Sequence, residues 1–308
     1  MRHANAPFTV RTQSTRASPV LAWALAFVGL ATSAYAGAVS EYNIDKDPNH
    51  VLYGTLNQNL VPGWGNVACA PIAAVNSFVY LQNKYPTIYD NKLVNPNNPP
   101  AGMIAAVQTL GTAPFMNTIA NGGTFNDDFI YGKWLYLEQN APGLTVYEAQ
   151  NSFGWNVQRN GQAIAKPAWV NQMNPTWQFL WNELVSCEDV EIGLQYFGST
   201  DVGHMLTLAS FHWRDAIKAD GTDGSDGVIQ RGENATIDYI DPLTGAKGIS
   251  FLWQDPISGR LETNYGVAGG WIHLAVSESP IPLPPALWSG LALLATAPVI
   301  RLIRKRAA

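Results

Sequence analysis

Residues 65–78 read Gly-Asn-Val-Ala-Cys-Ala-Pro-Ile-Ala-Ala-Val-Asn-Ser-Phe and place Cys69, one of only two cysteines, directly after a loop rich in Gly, Pro and Trp. Apolar residues follow at helical spacing, which predicts a buried helix from Cys69 to about Lys84, ahead of Pro86. Pro71 is tolerated because it falls in the first turn. The N–H groups at a helix N-terminus favour negative charge and lower the pKa of a thiol. The stretch therefore predicts a nucleophilic cysteine.

The composition limits the class of partner. The chain has 308 residues, of which 13% are charged, and its net charge is -5. It is long enough to bury a large core in one or two domains. A mildly acidic chain without a basic stripe has nothing to meet phosphates, so nucleic acid is not expected as a partner.

The N-terminus has the pattern of a secretory signal. Three arginines precede a short apolar run over residues 20–31, and the small-residue motif Ala-Tyr-Ala follows at 34–36. A positive region, an apolar region and a motif of this kind predict a signal peptide over residues 1–36. An N-terminal membrane anchor is the weaker alternative because the run is too short to span a bilayer.

The C-terminus has three parts. Residues 281–288 read Ile-Pro-Leu-Pro-Pro-Ala-Leu-Trp, an apolar stretch continues to Ile300, and a basic cluster follows at 301–306. Residues 279–308 resemble the PEP-CTERM sorting signal. That resemblance implies a Gram-negative bacterium, membrane contact only through the tail, and its removal by an exosortase-type enzyme at the cell envelope or outside the cell. The alternative is a plain membrane anchor, oriented by its basic end.

The globular region is expected over residues 37–278, where helical patterns come first and alternating patterns later. This order predicts an α+β fold with a helical N-terminal half packed on a C-terminal antiparallel sheet. His204 follows Gly203 at the start of one predicted strand, and Asp241 ends the next strand. Antiparallel pairing of those strands would bring the two side chains together. Cysteine catalysis needs a thiolate, a histidine and a group that orients the histidine, so Cys69, His204 and Asp241 form a candidate triad.

Three segments also carry a resemblance to a family. Cys-Ala-Pro-Ile-Ala-Ala-Val-Asn at 69–76, Gly-His-Met-Leu-Thr-Leu at 203–208 and Asp-Pro at 241–242 resemble papain-like cysteine peptidases, in particular the bacteriocin-processing (double-glycine) group. The resemblance implies a papain-like fold and hydrolysis of peptide bonds in a peptide or protein substrate. Cys69 would be the nucleophile, His204 the general base and Asp241 the residue that orients the histidine.

The same family places an oxyanion-hole glutamine about six residues before the cysteine, where this chain has Gly63. The nearest amide side chains are Gln58, Asn59 and Asn66. Gln58 is the candidate for this role, with the backbone N–H of Cys69 as the second donor.

Other interpretations remain open. In an oxidising compartment Cys69 and Cys187 can form a disulfide, which would remove the nucleophile. An inactive papain-like protein that binds partners at the cell surface or in the extracellular matrix is the alternative function. Residues 220–233 match a calcium loop only in its later positions and otherwise fit a solvated hairpin tip. No zinc-spaced Cys/His set or phosphate-binding glycine loop is found, so no metal and no cofactor are expected.

Overall fold

The structure is a computed structural model that describes residues 41–49, 51–186, 188–199, 203–215 and 226–281. The predicted signal sequence, Cys187 and all but the first residues of the predicted tail lie outside the described residues. The last strand continues to Pro280, two residues past the predicted boundary at 278. In the described part of the chain, no helix is both long and apolar enough to cross a membrane.

The helices lie mostly in the first half of the described chain. The predicted helix at the cysteine is confirmed, because α1 begins at Cys69 and ends at Lys84, next to Tyr85 and Pro86. Short 3₁₀ turns at Gln58–Leu60 and Gly65–Val67 precede it. The other helices are α2 (Pro86–Tyr89), α3 (Ala101–Leu110), α4 (Thr118–Asn121), α5 (Asn126–Asn140) and α6 (Trp177–Val185).

The strands are concentrated in the second half. They are β1 (Glu41–Asp45), β2 (Thr145–Asn151), β3 (Gln158–Arg159), β4 (Gln162–Ala163), β5 (Val170–Asn171), β6 (Asp189–Tyr196), β7 (Gly203–Arg214), β8 (Thr236–Asp241), β9 (Ala246–Gln254), β10 (Leu261–Thr263) and β11 (Gly270–Pro280).

Strands β6 to β11 form a closed antiparallel barrel. Each pairs with the next along the chain, and β11 pairs back with β6, which closes the ring. Three further strands extend this sheet outside the ring: β1 on β7, β2 on β11, and β5 on β2. Both long strands, β7 and β11, carry an irregularity in their register, at Leu208/Ser210 and Ile272/Leu274. Such bulges bend a strand, so β7 and β11 can leave the ring and pair with β1 and β2.

The predicted papain-like α+β class is therefore wrong, because the described chain is a mainly-β barrel with short helices outside it. The predicted antiparallel sheet closes into a ring for two physical reasons. β10 is only three residues long, yet it pairs with β9 on one side and with β11 on the other. The long strands then change partners along their length. Alternation of apolar residues predicts strands but does not reveal which edges meet.

The strands bury side chains on both faces. The side chains of Leu206 and Leu208 belong to a core inside the barrel, whereas Met205 and Ala209 belong to a second core beneath the helices. All six strands contribute to the interior core, with residues such as Ile192, Leu206, Ile237, Leu252, Leu261 and Ile272. The alternation along β7 thus places every second residue inside the barrel.

Helix α1 is fixed to the outside of the barrel by its small residues and by polar contacts. Ala73 and Ala74 are fully buried, which lets the helix backbone approach β7 closely. The hydroxyl of Thr207 donates a hydrogen bond to the carbonyl oxygen of Ala73 at 2.9 Å. The backbone N–H of Leu56 donates to Oδ1 of Asn76 at 2.9 Å. The Thr207 contact sets the height of α1, and hence of Cys69, relative to β7, and the Leu56 contact ties α1 to the segment before it.

A buried charge cluster joins α5 to the outer face of the barrel. Lys133 of α5 is fully buried, and its ammonium group contacts the carboxylates of Asp189 and Glu191 on β6 and of Glu278 on β11. Burial raises the pKa values of Glu191, to about 7, and of Glu278, although the Lys133 charge opposes the rise. One ammonium group cannot neutralise three buried carboxylates. The raised pKa values of Glu191 and Glu278 mean that these carboxyl groups tend to stay protonated, which reduces the negative charge of the cluster.

We expect Lys133→Met to lower the free energy of unfolding by about 3–5 kcal/mol at pH 8, because it leaves buried carboxylates without their cation. The loss should be smaller at pH 5. A carboxyl whose pKa is raised in the folded state binds more protons than it does unfolded, so the folded state gains stability as the pH falls through that pKa. Urea denaturation of the full chain at both pH values measures this. Lys84→Met, at an exposed lysine of α1, is the control, and equal losses in the two variants would contradict the expectation.

Candidate active site

Three elements bring Cys69, His204 and Asp241 to one end of the barrel. Cys69 is the first residue of α1, His204 the second of β7, and Asp241 the last of β8. Strands β7 and β8 are antiparallel, with Thr207 opposite Ile240, so the start of β7 lies beside the end of β8. The antiparallel pairing expected from the sequence is therefore present, and the three side chains form a continuous hydrogen-bonded chain.

Cys69 is a half-buried residue, and its thiol is hydrogen-bonded to the His204 ring. Its surroundings favour the thiolate. Burial opposes the charge, but the hydrogen bond and positive charge of His204, together with the backbone N–H groups of Met205 and Ala70, hold the pKa of the thiol below its usual value. A thiol with a lowered pKa that remains accessible is the form in which cysteine acts as a nucleophile.

His204 links the thiol to the carboxylate. Its Nε2 lies 2.9 Å from Oδ1 of Asp241, which leaves Nδ1 as the ring nitrogen for Cys69. Burial of the ring would lower its pKa, but the hydrogen bonds and negative charges of Asp241 and Cys69 raise the pKa to about 9. The cysteine pKa is lowered and the histidine pKa is raised, so the contact between them favours the thiolate–imidazolium ion pair over the neutral pair.

Asp241 is held by several donors. Its Oδ1 accepts from the backbone N–H of Leu243 at 2.8 Å as well as from His204. Its Oδ2 accepts from the hydroxyl of Tyr265 at 3.0 Å. Burial would raise the pKa of this carboxyl, but hydrogen bonds from His204, Leu243 and Tyr265 and the charge of His204 keep it below its usual value. Asp241 therefore stays ionised and fixed in one orientation.

Tyr265 is a site residue that the sequence analysis missed. It follows β10 and contacts both His204 and Asp241, stacking its ring on the imidazole. No motif marks it, because its approach to β8 depends on the closure of the barrel by the three-residue strand β10. The available signal was a lone tyrosine in the segment Thr263-Asn264-Tyr265, directly after a short alternating run.

Gln58 lies beside the loop that follows Asp241. The backbone N–H of Gln58 donates to the carbonyl oxygen of Pro242 at 2.8 Å. Gly65 lies against the Gln58 carbonyl oxygen, which a Cβ at position 65 would approach to 2.1 Å, so only glycine fits there. The Gln58 side chain is buried, and its Oε1 has no hydrogen-bond partner among the described residues. A buried amide oxygen without a partner costs free energy, so such groups are rare, and a functional role is one of the reasons they persist.

The remaining sequence-predicted features are a disulfide and a calcium loop. Cys69 carries a free thiol, and Cys187 lies outside the described residues. Residues 220–225 of the calcium-like loop also lie outside them, while residues 226–233 are described. The carboxylates of Asp189, Glu191 and Glu278 are close enough together for a metal ion. The Lys133 ammonium contacts all three, so a cation already fills the centre of that group.

We expect Cys69 to be alkylated by iodoacetamide at pH 6.5 at least about tenfold faster than an ordinary thiol, which is only about 1% thiolate there. The variant Cys187→Ser removes the other cysteine and serves as the background. In that background His204→Ala should raise the inflection of the rate–pH profile to or above that of a free thiol, because burial remains while the counter-ion is lost. An unchanged inflection after His204→Ala would show that the histidine does not stabilise the thiolate.

Comparisons with known proteins do not add a family to this geometry. No protein-family model matches the chain, and no curated protein matches it significantly. The site itself consists of a thiol, an imidazole ring and a carboxylate in hydrogen-bond contact.

Proposed function

We propose that this protein is a cysteine peptidase that hydrolyses peptide bonds with Cys69, His204 and Asp241. The observation that supports the proposal best is the continuous chain from the Cys69 thiol through the His204 ring to the Asp241 carboxylate. A thiolate, a base and a group that orients the base are the parts that covalent acyl transfer requires. The raised pKa of His204, about 9, also keeps a proton on the ring for an amine leaving group.

The reaction proceeds through an acyl-thioester. Cys69 Sγ attacks the carbonyl carbon of the scissile bond, and an electron pair moves onto the carbonyl oxygen. The C–N bond then breaks while His204 gives its Nδ1 proton to the departing amine. Water then attacks the thioester carbonyl carbon while His204 takes one of its protons, and the C–S bond breaks, which regenerates the Cys69 thiolate and releases the acid product. Asp241 accepts the Nε2–H hydrogen bond throughout and fixes the tautomer of the ring.

The developing oxyanion needs donors near Cys69. The N–H of Cys69 belongs to the first turn of α1, where backbone N–H groups have no acceptor within the helix. The side-chain amide of Gln58 is the second donor. Its backbone N–H donates to the carbonyl oxygen of Pro242, which holds the residue beside the loop that follows Asp241. Preorganised donors of this kind stabilise the negative charge of a tetrahedral intermediate.

The enzyme acts on peptide or protein substrates after export, at the cell envelope or outside the cell. The patterns of residues 1–36 and 279–308 support this location, and an exosortase-type enzyme is the partner that would process the tail. An exported cysteine enzyme must keep its nucleophile out of a disulfide. The free thiol of Cys69 is consistent with that requirement.

The proposal is tested with the full-length chain, a peptidyl acyloxymethyl ketone probe and a mixture of fluorogenic peptides. Cys69→Ala and His204→Ala should abolish labelling and cleavage. Asp241→Asn should reduce kcat/KM by about 10²–10⁴-fold, because the histidine loses its orientation and tautomer. A protein whose Cys69 is readily alkylated but which neither labels nor cleaves would contradict the peptidase proposal and favour the binding role.

The role of Gln58 has its own test. Gln58→Ala should lower kcat by about 10²–10³-fold, the usual effect of removing an oxyanion donor. The rate of Cys69 alkylation should stay the same, since the ion pair is intact. Asn59→Ala is the matched control, because Asn59 is an exposed amide in the same turn. If kcat is the same for both variants and the wild type, Gln58 is not the donor.

A further inference from the structure

Tyr265 makes two different contacts with the candidate triad. Its hydroxyl donates to Oδ2 of Asp241 at 3.0 Å. Its ring stacks on the imidazole of His204, with centroids 5.5 Å apart and planes inclined by 15°. Thus a single side chain contacts both Asp241 and His204.

The hydroxyl contact completes the set of donors around the carboxylate. Oδ1 of Asp241 accepts from His204 and from the backbone N–H of Leu243, while Oδ2 accepts from Tyr265. A carboxylate held through only one oxygen can rotate about its Cβ–Cγ bond. Donors on both oxygens remove that freedom and hold Oδ1 toward the histidine.

The ring contact is rigid because Tyr265 is itself enclosed by aromatic residues. Its side chain is 8% exposed. Tyr196 of β6 stacks on it at 6.3 Å, and Tyr239 of β8 meets it edge-on at 5.5 Å. Offset-stacked and edge-to-face pairs are the favourable arrangements for aromatic rings, so this column resists rotation of the imidazole.

We propose that Tyr265 is a positioning residue that holds Asp241 and the His204 ring in the orientation in which Nδ1 faces the Cys69 thiol. The proposal rests on the proposed function for its effect on catalysis. It concerns the geometry of the ion pair, however, so it can be tested without any substrate. The titratable groups that face His204 are Cys69 of α1, Asp241 of β8 and Tyr265 itself, with Tyr196 and Tyr239 behind it.

The test compares Tyr265→Phe with Tyr239→Phe in the full-length Cys187→Ser chain. Tyr265→Phe keeps the stacked ring and removes only the hydroxyl. Tyr239→Phe removes a hydroxyl from the same group of packed aromatic rings. That hydroxyl contacts the Ser250 hydroxyl at 3.2 Å and does not contact the triad. The first readout is the pH profile of Cys69 alkylation by iodoacetamide. The second is kcat/KM on the best peptide substrate.

Tyr265→Phe should move the inflection of Cys69 alkylation to higher pH by about half a unit to one unit, and should lower kcat/KM about tenfold. Tyr239→Phe should leave both unchanged. In an Asp241→Asn background, Tyr265→Phe should have no further effect, because the tyrosine acts through that carboxylate. Thermal unfolding confirms that each variant is folded.

Two results would overturn the proposal. An inflection that stays in place, or moves to lower pH, would mean that the hydroxyl does not orient the ion pair. An equal shift in Tyr239→Phe would assign the effect to packing of the aromatic column. Failure of the peptidase proposal looks different, because the wild type would then cleave nothing while its alkylation profile still responded to Tyr265→Phe.

Discussion

The pairing of β7 with β8 is the interaction on which the site depends. Thr207 lies opposite Ile240, and this register places His204 two residues along the strand from the position opposite Asp241, on the same face of the sheet. His204 and Asp241 are then 2.9 Å apart without any long or flexible connection. Residues on the same face of a strand are separated by two positions, so a slip of one residue would turn His204 away from Asp241. The register is therefore a condition for the chemistry as well as for the barrel.

Strand β7 also positions Cys69, the proposed nucleophile. Thr207 lies on the outer face, where its hydroxyl binds the carbonyl oxygen of Ala73 in α1. His204 lies on the opposite face of β7, the face that carries Leu206 and Leu208 into the barrel interior, and it is at the end of that interior. One face of β7 thus fixes the position of α1 through Thr207, and the opposite face carries His204. A change that shifts β7 would disturb the Cys69–His204 contact from both sides, so the site and the fold are mechanically coupled.

The sequence allowed the local parts of the site to be predicted, but not the architecture. The helix start at Cys69, the strand start at His204 and the strand end at Asp241 depend on nearby residues, and the structure has them where the sequence predicts. Closure of the barrel depends on β10, a three-residue strand too short to show alternation. Tyr265 reaches the triad only through that closure. Lys133, Asp189, Glu191 and Glu278 have the composition of a solvated surface, yet they are buried together, because each charge finds its partner on a distant element.

These observations explain how a site can be anticipated while the fold class is not. The candidate triad needs only the N-terminus of a helix next to two antiparallel strand ends. An open sheet meets that requirement, and so does a closed barrel. The motifs around Cys69, His204 and Asp241 indicate a helix start and two strand ends, but they do not indicate whether the sheet is open or closed. The barrel differs from an open sheet in its aromatic cluster. Tyr196, Tyr239 and Tyr265 come from three parts of the ring of strands and pack together next to His204. An open sheet, whose edge strands stay apart, would leave that side of His204 to solvent.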